Sequence, residues 1–485
     1  MNIFFIASEA TPLAKTGGLA DVVGALPQAF GKPHKTTVIM PFYRDLIMKS
    51  GHEIHALNRS VTIWIDGHER VCPIHQIKIN RVTYWLVEQD DLYNREGLYG
   101  QHGGGYADNL LRFVLFNRVA LELAAAAEQP ADILHCHDWQ TGMIPLLLKT
   151  QYRHRPGLEQ TRVIFSIHNL AYQGIFPADW NYRLGLPVEY FHADGYEFYG
   201  QINCMKAAIV AADAVNTVSQ TYAQEILTPE YGCHLEGFLA QHKDKLTGIT
   251  NGIDTDIWNP ERDPFLAQNY SIRRPNKGKA DCKQALQRHC GLDIRAEAPV
   301  LGIVSRLADQ KGIDLIIPNI QPWLGAGCQM VVLGSGDPAY EKQLNHLAAI
   351  YSRHMYVCND FDEPLAHQIY AGSDMLLMPS RFEPCGLSQM IAMHYGTLPV
   401  VRATGGLADT VTNYFQSRQA GTGFMFNEAT PEALDKVLRQ AVGLFREKPR
   451  VWSRLRNNAM RQDVSWTASA RSYIMLYNRT RLKAL

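Results

Sequence analysis

Two cations five residues apart, Arg306 and Lys311, stand in the run GIVSRLADQKG at 302–312. An apolar, β-branched run ends at Ser305 and Gly312 opens the next periodic stretch, so both charges fall in a turn between a buried strand and a helix. An arginine fork and a compact ammonium together suit a diphosphate. Where negative charge grows on a departing diphosphate, cations fixed there lower the barrier. A salt-bridged pair on the surface is the plainer alternative. Glu383, in PSRFEPCGL at 379–387, lies between a strand and a helix. A carboxylate there can bind hydroxyls or stabilise an oxocarbenium-like centre, or merely complement a helix dipole. His168 in FSIHNL and Asp138 in HCHDW directly follow apolar strands. His135, His137 and Asp138 resemble metal ligands in type, but no distant further ligand accompanies them, and no metal is expected.

Lys15 precedes a Gly-rich turn, TGGLADV at 16–22, and nearly the same run, TGGLADT, recurs at 404–410. Nothing around the two copies aligns, which favours convergent chemistry over duplication. Two glycines after a parallel strand let the backbone approach an anion, and the helix that follows offers free N–H groups and the positive end of its dipole. Lys15 can add a point charge on a phosphate, or be a solvated loop residue. Gly334 to Asp337, in GSGD, form a further tight turn of this kind. Between 172 and 199 lie nine aromatic residues, about three times the chain average of 10%. Tyr93, Tyr99 and Tyr106 flank the glycines at 103–105. Aromatic faces with polar tips bind sugar rings, although many such rings serve as core.

The elements that must position these residues follow an alternating βαβ pattern, the signature of open parallel sheets. In the first half the spacing predicts strands at 2–7, 36–41, 132–136, 162–167 and 214–218, with an antiparallel insertion near 61–88. Regularity lapses through 251–298, then strands are predicted at 300–304, 329–333, 355–358, 374–378 and 398–401. The lapse around 245–255 reads as a domain boundary. After 430 the chain reads as all helix, broken at Pro449. Two doubly wound domains with a Gly-rich turn each predict an active site in the cleft between them.

At 485 residues the chain is too long for one core. Lys plus Arg equals Asp plus Glu at 47 each, which argues against nucleic acid or an anionic membrane as main partner. Nine scattered cysteines without a C-x-x-C pair exclude a disulfide framework and fit a reducing cytoplasm. The amino-terminal run reads as a strand rather than a signal peptide, and no apolar stretch is long enough to span a membrane.

The runs KTGGLADVVGALP, HDWQTG, SIHNLAYQG, NGID, SRLADQKG, SRFEPCGLSQ and TGGLADTV resemble those of bacterial glycogen synthases and plant starch synthases, in family order from residue 7 to about 411. The pairing of K-T-G-G-L with E-P-C-G-L-x-Q is highly specific. The resemblance implies an α/β GT-B glycosyltransferase with two Rossmann-like doubly wound domains facing across a cleft. It implies an acceptor-side domain at 1–245, a nucleotide-sugar domain at 246–455, and a helical tail at 456–485 crossing back to the first. It implies a retaining, metal-independent reaction without cofactor: glucose passes from ADP-glucose to the non-reducing 4-hydroxyl of glycogen or a malto-oligosaccharide. Carried over, Lys15, Gly17, Gly18, Gly405 and Gly406 are donor-binding, with Arg306 and Lys311 on the distal phosphates. Glu383 is the essential carboxylate, His168 lies beside the transferred glucose and Asp138 near the acceptor. Many wider relatives carry a second Glu eight residues after the first; here Ile391 stands there, so the ribose must be held otherwise. No feature of the sequence sets the oligomeric state. A dinucleotide-dependent oxidoreductase is a rival reading, but its G-x-G-x-x-G is absent after the first strand. A catalytically silent glucan-binding protein is another, and retention of every charged motif residue speaks against it.

Overall fold

The structure, a computed structural model, describes all residues except 102, 103, 361 and 483–485. The chain divides into two compact units. The first comprises Met1–Val218, Ala223–Ile249 and the chain from Trp466 onward; the second comprises Ser219–Tyr222 and Thr250–Ser465.

The first unit is built on a nine-stranded sheet. Its order from one edge is Leu246–Gly248, Ala214–Thr217, Arg162–Ile167, Ile133–His137, Asn2–Ile6, Lys35–Pro41, Val82–Val87, His68–Ile79 and His55–Ile65. The strands from Leu246–Gly248 through Val82–Val87 run parallel. The central ones are buried along their whole length, as near-continuous apolar runs such as NIFFI require. The insertion is larger than the sequence pattern indicates. His55–Ile65 and His68–Ile79 form a hairpin, and Val82–Val87 joins it to the parallel sheet. The segment HALNRS at 55–60 carries few apolar residues because it lies in an edge strand, so hydropathy gave no signal there.

The second unit holds six parallel strands in the order Met355–Cys358, Gln329–Leu333, Val300–Val304, Met375–Met378, Leu398–Arg402 and Phe424–Phe426. Strand order reverses between Val300–Val304 and Met375–Met378, the switch point where ligands bind in such sheets. The three-residue strand Phe424–Phe426 is too short to stand out by periodicity.

The helical tail divides between the units. Pro449–Met460 packs beside Leu398–Arg402 in the second, with Trp452 and Leu455 buried. The return to the first unit begins at Trp466, ten residues later than the 456 expected. Helix Trp466–Leu482 packs against helix Gly18–Ala29. Tyr473 and Tyr477 are both fully buried, and each such ring contributes roughly 2 kcal/mol of burial energy. Their hydroxyls close a polar chain. Asn216 Nδ2 donates to the Tyr473 hydroxyl (3.2 Å), and Ser166 Oγ donates to Asn216 Oδ1 (2.7 Å). His135 Nε2 lies 2.6 Å from Ser166 Oγ, and the Tyr477 hydroxyl 2.8 Å from His135 Nδ1. With the serine proton committed to Asn216, His135 donates from Nε2 and accepts at Nδ1.

No helix among the described residues is long and apolar enough to cross a membrane. All nine cysteines are free.

Candidate active site

In the second unit, the loops at the carboxyl ends of four parallel strands carry the charged motif residues. Gly312 sits at φ +69°, and a side-chain carbon there would lie 2.2 Å from the Pro379 carbonyl oxygen. Only glycine permits the 306–312 loop to lie against the loop bearing Glu383. That packing brings Lys311 Nζ to 2.5 Å from Glu383 Oε2, with the lysine 17% and the glutamate 7% exposed. Ser380 Oγ donates to the same carboxylate oxygen at 3.0 Å. Oε1 receives no hydrogen bond from any described residue, which leaves it available to a ligand hydroxyl. Arg306 is exposed and donates to Gln310 Oε1 (3.1 Å), and Gln310 Nε2 in turn donates to the Phe382 carbonyl (3.3 Å). The GSGD turn is laced to this loop, as Leu307 N–H reaches the Ser335 carbonyl and Asp337 N–H the Leu307 carbonyl.

Gly405 and Gly406 close over the Glu383 segment. Gly406 N–H donates to the Glu383 carbonyl at 3.0 Å, and Gly405 adopts φ +45°. Cys385, between them and the core, is buried and its thiol is pushed up to about 12, so it stays protonated and inert. Ile391 is buried within helix Ser388–His394 and offers no polar atom toward a ribose.

In the first unit, the ends of three neighbouring parallel strands bring Glu9, Asp138 and His168 to one sheet edge. Asp138 occupies φ +56°, a conformation that costs a non-glycine residue on the order of 1–2 kcal/mol. It is held there by its own backbone, with N–H to the Ser166 carbonyl at 3.0 Å. Its carboxylate Oδ1 also accepts the His168 N–H at 2.7 Å. Burial pushes its carboxyl up to about 7, against the backbone N–H groups of His168 and Asn169. His168 Nε2 lies 2.9 Å from His137 Nδ1, and burial pulls His168 down to about 3. His135, His137 and Asp138 are thus engaged with protein partners. Among the described residues no group of His, Cys, Asp and Glu side chains is placed to hold a metal.

Lys15 is 51% exposed and pairs with Asp21 at 2.7 Å. An added side-chain carbon at Gly17 or Gly18 would meet nothing within 4 Å. Two residues of this site, Glu9 and Ser8, were not singled out by the sequence. Glu9 is buried and accepts Thr16 N–H (2.5 Å) and Oγ–H (3.0 Å), fixing the start of the Gly-rich turn. Burial raises its carboxyl above the usual range. Ser8 Oγ and the Tyr99 hydroxyl lie 2.7 Å apart, tying Tyr99 to the same edge. A Glu at residue 9 of a strand–turn–helix run was the available clue, and its partnership with Thr16 has no periodic signature.

The aromatic expectation divides. Tyr196, Tyr93 and Trp180 are core; Tyr182 and Tyr199 are 84% and 79% exposed. Of the glycines at 103–105, Gly103 lies outside the described residues, and Gly104–Gly105 pair with Gly100–Gln101.

Two Rossmann-like α/β units, with charged and Gly-rich loops at their carboxyl edges, define a GT-B-type glycosyltransferase. Comparison with known proteins agrees. Residues 2–241 match the family described as starch synthase catalytic domain, and 290–454 match glycosyl transferases group 1. The chain is 44% identical over 478 residues to a glycogen synthase of Geotalea daltonii, covering 98% of each. It is 44% identical over 485 residues to one of Anaeromyxobacter dehalogenans, again 98% of each. The catalytic domain of starch synthase IV from Arabidopsis thaliana, solved bound to ADP and acarbose, superposes with a TM-score of 0.92 at 35% identity over 99% of both chains. A sucrose-phosphate synthase from Thermosynechococcus elongatus, at 16% identity and TM-score 0.60, shares the fold. The chain belongs to the glycogen and starch synthase family.

Proposed function

We propose that this glycosyltransferase elongates α-1,4-glucan, transferring glucose from ADP-glucose to the non-reducing 4-hydroxyl with retention at the anomeric carbon. The observation that carries the reading is the Lys311–Glu383–Ser380 cluster at the switch-point edge, in a chain 44% identical to glycogen synthases along its whole length.

In this mechanism Arg306 and Lys311 take the charge that develops on the departing diphosphate. Glu383 holds the Lys311 ammonium ready through Oε2, and its open Oε1 faces the sugar. Gly405 and Gly406, free of side chains, make the second loop beside the phosphate and sugar. On the first unit, Lys15 with Gly17 and Gly18 bind the donor, His168 lies beside the transferred glucose, and Asp138 lies near the acceptor. Glu383, the buried carboxylate nearest this chemistry, already serves the lysine, which favours front-face substitution with the leaving phosphate taking the acceptor's proton. A trapped glycosyl–Glu383 adduct would refute that. No metal or cofactor has a part in the scheme. Nine free thiols support a reducing, cytoplasmic setting.

The test is incorporation of labelled glucose into glycogen from ADP-glucose, with UDP-glucose in parallel and chelator present. Incorporation from ADP-glucose supports reaction and donor together. Activity with UDP-glucose alone overturns the donor, and dependence on added metal overturns the cation-only scheme.

A further inference from the structure

His137 has no place in the scheme above, yet it is fully buried and its Nδ1 lies 2.9 Å from His168 Nε2. Its other nitrogen, Nε2, is buried without a hydrogen-bond partner. Its ring packs against neighbours that offer that nitrogen nothing: Phe5 stacks on it (centroids 5.8 Å, 17°) and the His135 ring lies 4.1 Å away. His135 is itself fully committed, Nε2 to Ser166 and Nδ1 to Tyr477. Burial holds both His137 and His168 in the neutral form. One proton is therefore shared in the contact between them, and two arrangements are open.

If His168 donated from Nε2, His137 would carry its own proton on Nε2, leaving an N–H buried with no acceptor. If His137 donates from Nδ1, its Nε2 is a bare nitrogen against apolar ring surface. Orphaned buried N–H groups are the rarer and costlier outcome. The second arrangement then dictates the rest: His168 accepts at Nε2 and carries its proton on Nδ1. That Nδ1 makes no hydrogen bond to any described residue, and His168 retains exposed surface.

We infer that His137 is a positioning residue that fixes His168 as its Nδ1–H tautomer, so that His168 presents a hydrogen-bond donor to an oxygen of the transferred sugar. The inference rests on the proposed place of His168 beside that sugar. A second-sphere group that sets a tautomer and ring orientation commonly matters by 10- to 100-fold, as outer partners of ligating histidines do.

Long-range proton–nitrogen spectra of the full-length protein labelled with 15N-histidine read the tautomer directly, with the His168 signals assigned by their loss in His168→Gln. The expected result is a protonated Nδ1 and a bare Nε2; a protonated Nε2 overturns the inference. In His137→Leu the His168 ring loses its partner, and turnover should fall about 10- to 100-fold with the KM for ADP-glucose changed by less than about 3-fold. His137→Asn puts an amide N–H near the position of Nδ1 and should restore the Nδ1–H form of His168 and most of the rate. Should the leucine variant fail to fold, the wild-type spectrum and the asparagine variant still decide. Equal losses in two folded variants overturn the positioning role. Unchanged turnover in His168→Ala overturns the place of His168 itself, whatever its tautomer, and the inference with it.

Discussion

A side-chain carbon added at Gly405 or Gly406 would land 1.9 Å from the Glu383 carbonyl oxygen or 2.1 Å from that of Cys385, whereas at Gly17 or Gly18 it would meet nothing within 4 Å. The two turns share six consecutive residues, and each opens a helix, Gly18–Ala29 or Gly405–Thr410. In the second unit the chain's own backbone demands the glycines, because the turn must pass over the segment that carries Glu383. In the first unit no internal neighbour demands them, and Gly17 is extended at φ −159°, a conformation open to any residue. Nothing within the chain requires glycine there, in keeping with the proposed approach of a donor to the bare backbone. Identical spelling thus meets close packing in one place and open space in the other.

The surroundings differ in the same sense. The second site rests on an ion pair, Lys311 with Glu383, and the first on neutral imidazoles and a raised carboxyl. The sharpest way to separate them is to remove charge from the second. Lys311→Ala or Glu383→Ala should lower turnover by about 10²–10³-fold while circular dichroism stays native. A near-normal rate in either would take that residue out of the site.

Next in size, Gly405→Ala should destabilise the second unit by about 2–4 kcal/mol in urea titrations, since it adds both a clash and a strained φ. Stability within 0.5 kcal/mol of the parent would break the contrast between the turns.

Acid should act on the first site. His168 is neutral when folded, at about 3, while in the unfolded chain it takes a proton below about 6.5. Its contribution is present above about 6.5 and lost as pH falls toward 3, about 1–2 kcal/mol of it between pH 7 and 5. His168→Gln should flatten the stability–pH curve over that window by this amount; an unaltered slope would mean the ring is not held neutral.

The smallest structural effect belongs to Gly18→Ala. Stability should hold or rise by up to about 1 kcal/mol, as expected for alanine at a helix start, while the KM for ADP-glucose rises about 10-fold. An unchanged KM would mean that the open space at this turn serves no ligand.

Much of the framework could be read in the amino acids because parallel strands are buried on both faces and appear as short apolar runs. Val300–Val304, Gln329–Leu333 and Met355–Cys358 fall where the spacing predicts them. The edge strand His55–Ile65 was half hidden because one side of it meets water, and Phe424–Phe426 because three residues hold no period. Within the sites, motif residues stood out by type and spacing, and the structure brings Lys311 onto Glu383 across 72 residues of chain. Their supporting groups stood out less: Glu9 not at all, and His137 only as a residue of metal-ligand type. Glu9 acts through Thr16 and His137 through His168, and hydropathy treats an isolated polar residue at a strand end as noise.

The second unit is a guest within the first. The chain leaves the first after Ile249 and returns at Trp466, and the two crossings run side by side where Ile253 N–H meets the Val464 carbonyl at 2.8 Å. A ribosome making roughly 5–20 residues per second therefore holds an unfinished first half for roughly 10–40 s, with the His135 pocket still waiting for Tyr477. The inserted half, 250–465 almost entire, is complete before that helix is made. Synthesis thus sets an order of assembly, middle before ends.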